Sequence, residues 1–267
     1  MFGARGSYDV PVRAFLRRHM LVRRLYGRWL ELVHRRSGLA TSINGEPFRL
    51  APEARSVAKW SQDRSTRVYE PELWQTLLGE LRPDDVVADV GANVGLSSIA
   101  CARRVTQGHV WAIEPDPRNA ALLRRHAALN EVGGRITVVE AAAGAETGSI
   151  AFAALGIPQA YVDGVQSSQA APIRVPLVRL DEAVPSADVV KIDVEGYEGQ
   201  VLDGSSGLLE DGPRRPRLLV LEAHPDFLPG AGWSVDRLRA LLREHAYRID
   251  EADLPDGRQH WVARRES

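Results

Sequence analysis

The chain has 267 residues, 44% of them apolar, and sets 34 lysines and arginines against 35 aspartates and glutamates. That length suits one large domain with an extension, and the composition excludes a wholly disordered or collagen-like chain. The near-neutral total conceals a basic start: residues 1–36 hold nine arginines against Asp9 and Glu31, leaving 25 bases to 33 acids beyond them.

A body with that acidic balance disfavours nucleic-acid partners, whose affinity comes mainly from neutralised phosphates. Residues 10–36 place Phe15, Leu16, Leu21, Val22, Leu25, Trp29, Leu32 and Val33 at roughly helical spacing among the arginines. The segment reads as an amphipathic basic helix or helix pair, either docked on the domain or in peripheral contact with an anionic membrane or partner. Cys101 is the single cysteine, which excludes an intrachain disulfide and a cysteine-based zinc site and fits a reducing, cytoplasmic setting. No run approaches the ~18 apolar residues of a membrane span, and no unbroken apolar stretch follows the arginines as in a signal peptide.

Residues 42–60 predict a small hairpin turning at Asn44-Gly45. The expected organisation is a basic helical and hairpin extension over 1–60, then a main domain over 61–267. A helix follows at 70–81, opened by Glu70-Pro71-Glu72 and stopped before Pro83. Next come a strand at Asp85–Val90, a helix at Leu96–Arg104, a strand at His109–Glu114, a helix at Pro117–Asn130 and a strand at Arg135–Glu140. Residues 144–176 show no clear order. Val175–Leu180, Asp188–Val194 and Arg217–Glu222 read as strands, and Ser234 as the N-cap of a helix over 234–245. Tyr247–Asp250 and His260–Ala263, joined through Pro255-Asp256-Gly257, must run antiparallel. Strands alternating with helices predict a doubly wound α/β domain.

The strongest motif is Asp89-Val90-Gly91-Ala92-Asn93-Val94-Gly95 between a strand and a helix. Glycines there allow a sharp turn and close approach of a ligand to a helix N-terminus. An aspartate at the turn would repel a pyrophosphate but attract a sulfonium or an amino group, which points to S-adenosylmethionine. Glu114 ends the next strand, 19 residues after Gly95, where adenosine-binding folds accept ribose hydroxyls. Glu140 and the small residues Ala141 to Gly144 either line an adenine slot or only pack tightly.

The run Lys191-Ile192-Asp193-Val194-Glu195-Gly196-Tyr197-Glu198 resembles the signature of FkbM-family methyltransferases. With Asp89–Gly95, Glu114 and Glu222-Ala223-His224-Pro225, the resemblance covers roughly Tyr69 to Val262. It implies a class I methyltransferase Rossmann-like sheet of order 3-2-1-4-5-7-6, with the last hairpin antiparallel. It also implies S-adenosylmethionine as donor and a hydroxyl of a sugar, glycolipid or natural product as acceptor. By the same resemblance Glu70 lies near the cofactor.

On the acceptor side, Asp193 and Glu195 end one central strand and Glu222 and His224 the next, at the sheet edge where α/β folds bind ligands. His224 or Asp193 is the candidate base, with Glu195 beside them. Asp193, Glu222 and His224 are also ligand types for a divalent metal. Lys191 is expected to reach a carboxylate or ligand oxygen. Trp233 and Phe227 are candidates for contact with the acceptor. Competing readings are a non-catalytic adenosine-ligand module and, less favoured by the charge balance, an RNA methyltransferase.

Overall fold

The computed structural model describes residues 36–52, 71–152, 173–210 and 215–266, together with Leu32, His34 and Gly212. The basic segment 10–36, apart from those named positions, and Glu70 lie outside the described residues.

The chain opens with strands β1 (Leu39–Ile43) and β2 (Glu46–Leu50), then helix α1 (Pro71–Glu80), β3 (Val86–Val90), α2 (Leu96–Arg104), β4 (His109–Ile113), α3 (Pro117–Leu129) and β5 (Ile136–Val139). Three further strands follow, β6 (Ala142–Ala143), β7 (Gly148–Phe152) and β8 (Ile173–Val178). The second half contains α4 (Leu180–Ala183), β9 (Val189–Ile192), α5 (Glu198–Asp203), α6 (Ser206–Leu209), β10 (Leu218–Ala223), α7 (Val235–Glu244), β11 (Tyr247–Asp253) and β12 (Gln259–Arg265).

Seven strands form the main sheet in the order β11-β12-β10-β9-β3-β4-β5. β3, β4, β5, β9 and β10 run parallel, while β12 is antiparallel to both β10 and β11. Renumbered within this sheet, that is the expected 3-2-1-4-5-7-6. Burial on both faces explains the continuous apolar runs: Val87, Val189, Leu218 and Val220 join one core, and Ala88, Val190, Leu219 and Leu221 the other.

The predicted hairpin starts earlier than residue 42. Asn44 and Gly45, both at positive φ, form its two-residue turn. Ile43, Phe48 and Leu50 enter the same core as Val87 and Leu123, and Phe48 meets Trp74 edge-on with ring centroids 6.3 Å apart. The stretch from 144 onward, which showed no pattern, supplies β7 and β8 of a separate three-stranded sheet. β7 carries only exposed and half-buried residues, so little apolar periodicity marks it, whereas β8 buries Val175 and Leu177 and matches the strand expected from Val175. Ala142 and Ala143 pair with β8 there, while Glu140 is exposed and bonded to Arg124 at 2.9 Å. The alanine run is sheet pairing and packing.

Helix starts follow local chemistry. The Asp116 carboxylate accepts the Arg118 N–H at 2.8 Å before Pro117, and the Ser234 hydroxyl accepts the Arg237 N–H at 3.2 Å, caps worth about 1 kcal/mol each. Among the described residues no helix is long and apolar enough to cross a membrane.

Candidate active site

The parallel strands β3, β4 and β9 deliver Asp89, Glu114 and Asp193 to one edge of the sheet. The loop after β3 is shaped by the chain itself. A Cβ on Gly91, at φ +79°, would lie 1.8 Å from the Asp193 carbonyl oxygen, and one on Gly95, at φ +89°, 2.6 Å from Leu123 Cγ. Both glycines are thus demanded by the neighbouring strand and helix. The sharp turn expected of these glycines is present. Several N–H groups of the loop are also spent: Gly91 and Ala92 donate to the Ile113 carbonyl, and Asn93 to Glu114 Oε2 at 2.7 Å.

Asp89 departs from its expected role. It is fully buried and accepts hydroxyl hydrogen bonds from Ser97 at 2.6 Å and Ser98 at 2.5 Å. Lys191 Nζ stands 3.6 Å from its other oxygen and 3.1 Å from Asp193. Asp89 therefore fastens the first turn of α2 to β3 and shares a cation with Asp193, instead of facing a ligand directly. Lys191 does reach carboxylates, two of them.

Glu114 is buried and joins β4 to the glycine loop. Its Oε1 accepts from the Asp116 N–H and Asn119 Nδ2, and its Oε2 from Asn93. Burial pushes its carboxyl up to about 7, against the lowering effect of these hydrogen bonds. With four acceptor positions on a carboxylate and three occupied, one on Oε2 remains for a hydroxyl.

A cavity lies between α1 and this edge, bordered by Leu73, Trp74, Leu77, Asn93, Ser97, Lys191 and Asp193. The apolar wall from α1 had no counterpart in the motif reading.

On the far side of Asp193 the loop after β9 turns sharply, with Glu195 at φ +53° and Gly196 at φ +98°. The strand rule for residues two apart stops applying at Ile192. Nevertheless one ligand atom from each of Asp193, Glu195 and His224 falls within 4.8 Å of the others. His224 Nδ1 lies 2.7 Å from Glu198 Oε1, and its Nε2 3.3 Å from Glu195 Oε2. Burial would lower His224, but its hydrogen bond to Glu198 and the charges of Glu198, Glu195 and Asp193 raise it overall. Glu195, though exposed on one side, is raised by burial of the rest of its surface. Burial acts on Asp193 in the same direction, yet Lys191 and then His224 outweigh it and hold the carboxyl below its usual range. Of the three groups, Asp193 alone is held below its usual range, while Glu195 and His224 are raised.

Two further expectations change. Glu222 is buried, its Oε1 held by the Arg258 guanidinium and 3.7 Å from His224 Nε2; Glu195 joins Asp193 and His224 in the tighter cluster. Trp233 is buried, packed against Gly199 and under the Arg237 guanidinium at 3.8 Å, so only Phe227 of the two aromatics is open. Phe227 is 42% exposed and stacks on His224 with ring centroids 6.1 Å apart. Glu198, in the first turn of α5, was not among the expected site residues. The signal available was an acid in the first turn of a helix beginning at the sheet's ligand edge.

The model of the FkbM methyltransferase domain matches residues 89–249, from Asp89 at the glycine loop to the start of β11. The chain belongs to the FkbM methyltransferase family. A hexuronic acid methyltransferase, AglP, of Haloferax volcanii is 30% identical over 193 residues, which cover 71% of this chain and 75% of that protein. The 31-O-demethyl-FK506 methyltransferase FkbM of Streptomyces tacrolimicus is 28% identical over 203 residues, 64% of this chain and 75% of its own. In fold, the chain matches the crystal structure of a candidate rRNA methylase from Clostridium thermocellum at a TM-score of 0.50 and 9% identity, covering 73% of this chain and 94% of the other. That likeness concerns the sheet and its helices alone.

The donor of the FkbM family is S-adenosylmethionine, and the residues present fit it. Asn93 Oδ1 is buried without a hydrogen-bond partner, Glu114 keeps an acceptor position, and the cavity beside Lys191 and Asp193 offers both a cation and an anion.

Proposed function

We propose that this FkbM-family chain transfers a methyl group from S-adenosylmethionine to a hydroxyl oxygen of a sugar, glycolipid or small natural product. The observation that carries the reading is the convergence of Glu195, His224 and Asp193 beside the glycine loop at the carboxyl end of β9 and β10. The two curated relatives, one named for a hexuronic acid and one for an O-methylated natural product, support the acceptor class.

When bound, the donor supplies a methyl group on a cationic sulfur that leaves as a neutral thioether. Glu114 would hold ribose hydroxyls through its remaining acceptor position. Lys191 and Asp193, 3.1 Å apart, match the carboxylate and amino group of a zwitterionic amino-acid tail. Leu73, Trp74 and Leu77 close the cavity on the side of α1 and keep water from it.

An alcohol is a poor nucleophile until its proton is removed, so a base within hydrogen-bond reach and correct placement are both required. Glu195 stands at the exposed lip and its raised carboxyl has more basicity than an ordinary one. His224 faces it through Nε2 while Glu198 fixes the ring from behind. The pair is placed to take the hydroxyl proton and delocalise it between oxygen and nitrogen. Phe227 offers an apolar platform beside them for a sugar or macrocycle face.

The test is mass spectrometry of candidate acceptors incubated with isotopically labelled donor. A gain of one labelled methyl on a hydroxyl oxygen is expected. Donor binding without transfer to any hydroxyl in a sugar, glycolipid and polyketide panel, together with unchanged behaviour of His224→Ala, would favour a binding module instead.

A further inference from the structure

We propose that Asp193, Glu195 and His224 form a binding site for one hard divalent cation of the Mg²⁺ or Mn²⁺ type at the acceptor side. Its use in methyl transfer rests on the function proposed above; the binding of the ion does not.

The first support is geometric. In octahedral coordination at about 2.1 Å, neighbouring ligand atoms stand about 3 Å apart and opposite ones about 4.2 Å. Glu195 Oε2 and His224 Nε2 are separated by 3.3 Å, and the set including Asp193 fits within 4.8 Å. Glu195 and His224 already stand near the separation of neighbouring ligands, and Asp193 lies within reach of the same ion after side-chain adjustment. Two carboxylates and one imidazole, with no thiolate, select a hard cation, and three protein ligands leave positions for water and acceptor oxygens.

A second line comes from where hydrogens must be. Glu198 Oε1 accepts the Gly196 N–H at 2.9 Å as well as contacting His224 Nδ1. When the ring is neutral, Nδ1 carries its hydrogen and Nε2 turns a lone pair toward Glu195 Oε2, itself an acceptor. Two lone pairs facing one another at that distance are satisfied either by a proton or by a metal ion between them. A carboxylate behind the histidine is also the arrangement by which metal-bound imidazoles are oriented.

Charge accounting gives a third. Lys191 serves Asp193 and Arg258 serves Glu222. Among the described residues, Glu195 and Glu198 have only His224 as an ion-pair partner. Glu198 is fully buried, and its Oε2 has no hydrogen-bond partner. Negative charge at the cluster exceeds what its protein neighbours neutralise. An ion held here would acidify a hydroxyl brought against it, with Glu195 Oε1 left to receive the proton.

The experiment uses the full chain, stripped with chelator and titrated with Mn²⁺, following loss of the free-ion electron paramagnetic resonance signal. One Mn²⁺ per chain is expected, displaced by Mg²⁺, with affinity lowered about tenfold or more in Glu195→Gln and His224→Ala. Glu195 is exposed, so its amide variant tests the site without straining the fold, and circular dichroism confirms this for both. Glu140→Gln, at an exposed acid away from the cluster, should bind as the wild type does. Absence of saturable Mn²⁺ binding, or binding equal in wild type and both cluster variants, overturns the proposal. S-adenosylhomocysteine binding measured in parallel separates the two readings: it persists if only the metal site fails, and is lost if the donor reading fails.

Discussion

The carbonyl oxygen of Asp193 occupies the space that a side chain on Gly91 would need, 1.8 Å from the position of its Cβ. Two strand ends are thereby locked together, and the loop after β3 has one shape. Gly91→Ala should cost about 3 kcal/mol or more, since both the left-handed φ and the backbone contact oppose it. Urea unfolding checks this; a midpoint equal to the wild type would mean the two strand ends are free to separate.

Lys191 bridges Asp89 and Asp193, and all three are largely buried. Lys191→Met leaves two carboxylates without their shared cation, and a loss of about 3–5 kcal/mol is expected. Adding Asp193→Asn to that variant should recover part of the loss, because one of the stranded charges is gone. Denaturant curves of the single and double variants give the coupling.

Glu114 sets a pH dependence. Its carboxyl is raised from 4.5 to about 7 by burial, so between those values the folded chain keeps a proton that the unfolded chain has released. Stability is highest below the lower value and falls as pH rises through the upper one, by about 3 kcal/mol from this group alone. Glu114→Gln should lack that fall. Comparing urea unfolding of the two proteins at pH 5 and pH 8 isolates the difference, and parallel slopes would contradict it.

Glu198 acts through His224. Glu198→Gln keeps a similar shape but removes the charge behind the ring, so the rate of methyl transfer should drop about 10–100-fold while S-adenosylhomocysteine affinity stays unchanged. Calorimetry and single-turnover transfer measure the two quantities. Equal loss in both would indicate a general collapse of the site.

The architecture was legible because its cause is local. Apolar strands, a proline after an aspartate at the start of α3, and a turn between the last two strands each specify an element on their own. So were the positions of Asp89, Glu114, Asp193 and His224 at strand ends. Their partners were not legible, because they come from distant parts of the chain: Arg258 reaches Glu222 across 36 residues, and Glu198 reaches His224 across 26. Asp89 looked like a ligand-facing acid until Ser97 and Ser98 proved to be beneath its charge. β8 was legible from Val175 onward, whereas β7 was not, because it buries no full face.

The place of β12 separates two notions of a domain. The match to the domain model ends at residue 249, yet β12, at Gln259–Arg265, lies between β10 and β11 in the sheet and hydrogen-bonds to both. A chain cut at the end of the recognisable stretch would leave β10 with a bare edge and most of β11 missing. Likewise, beginning at Asp89 would discard the first half of β3 and the hairpin whose Phe48 and Leu50 fill the core. The stretch matched by the domain model is therefore smaller than the cooperative unit, and an expression fragment cut to that stretch would lack the strands and core residues that hold the site.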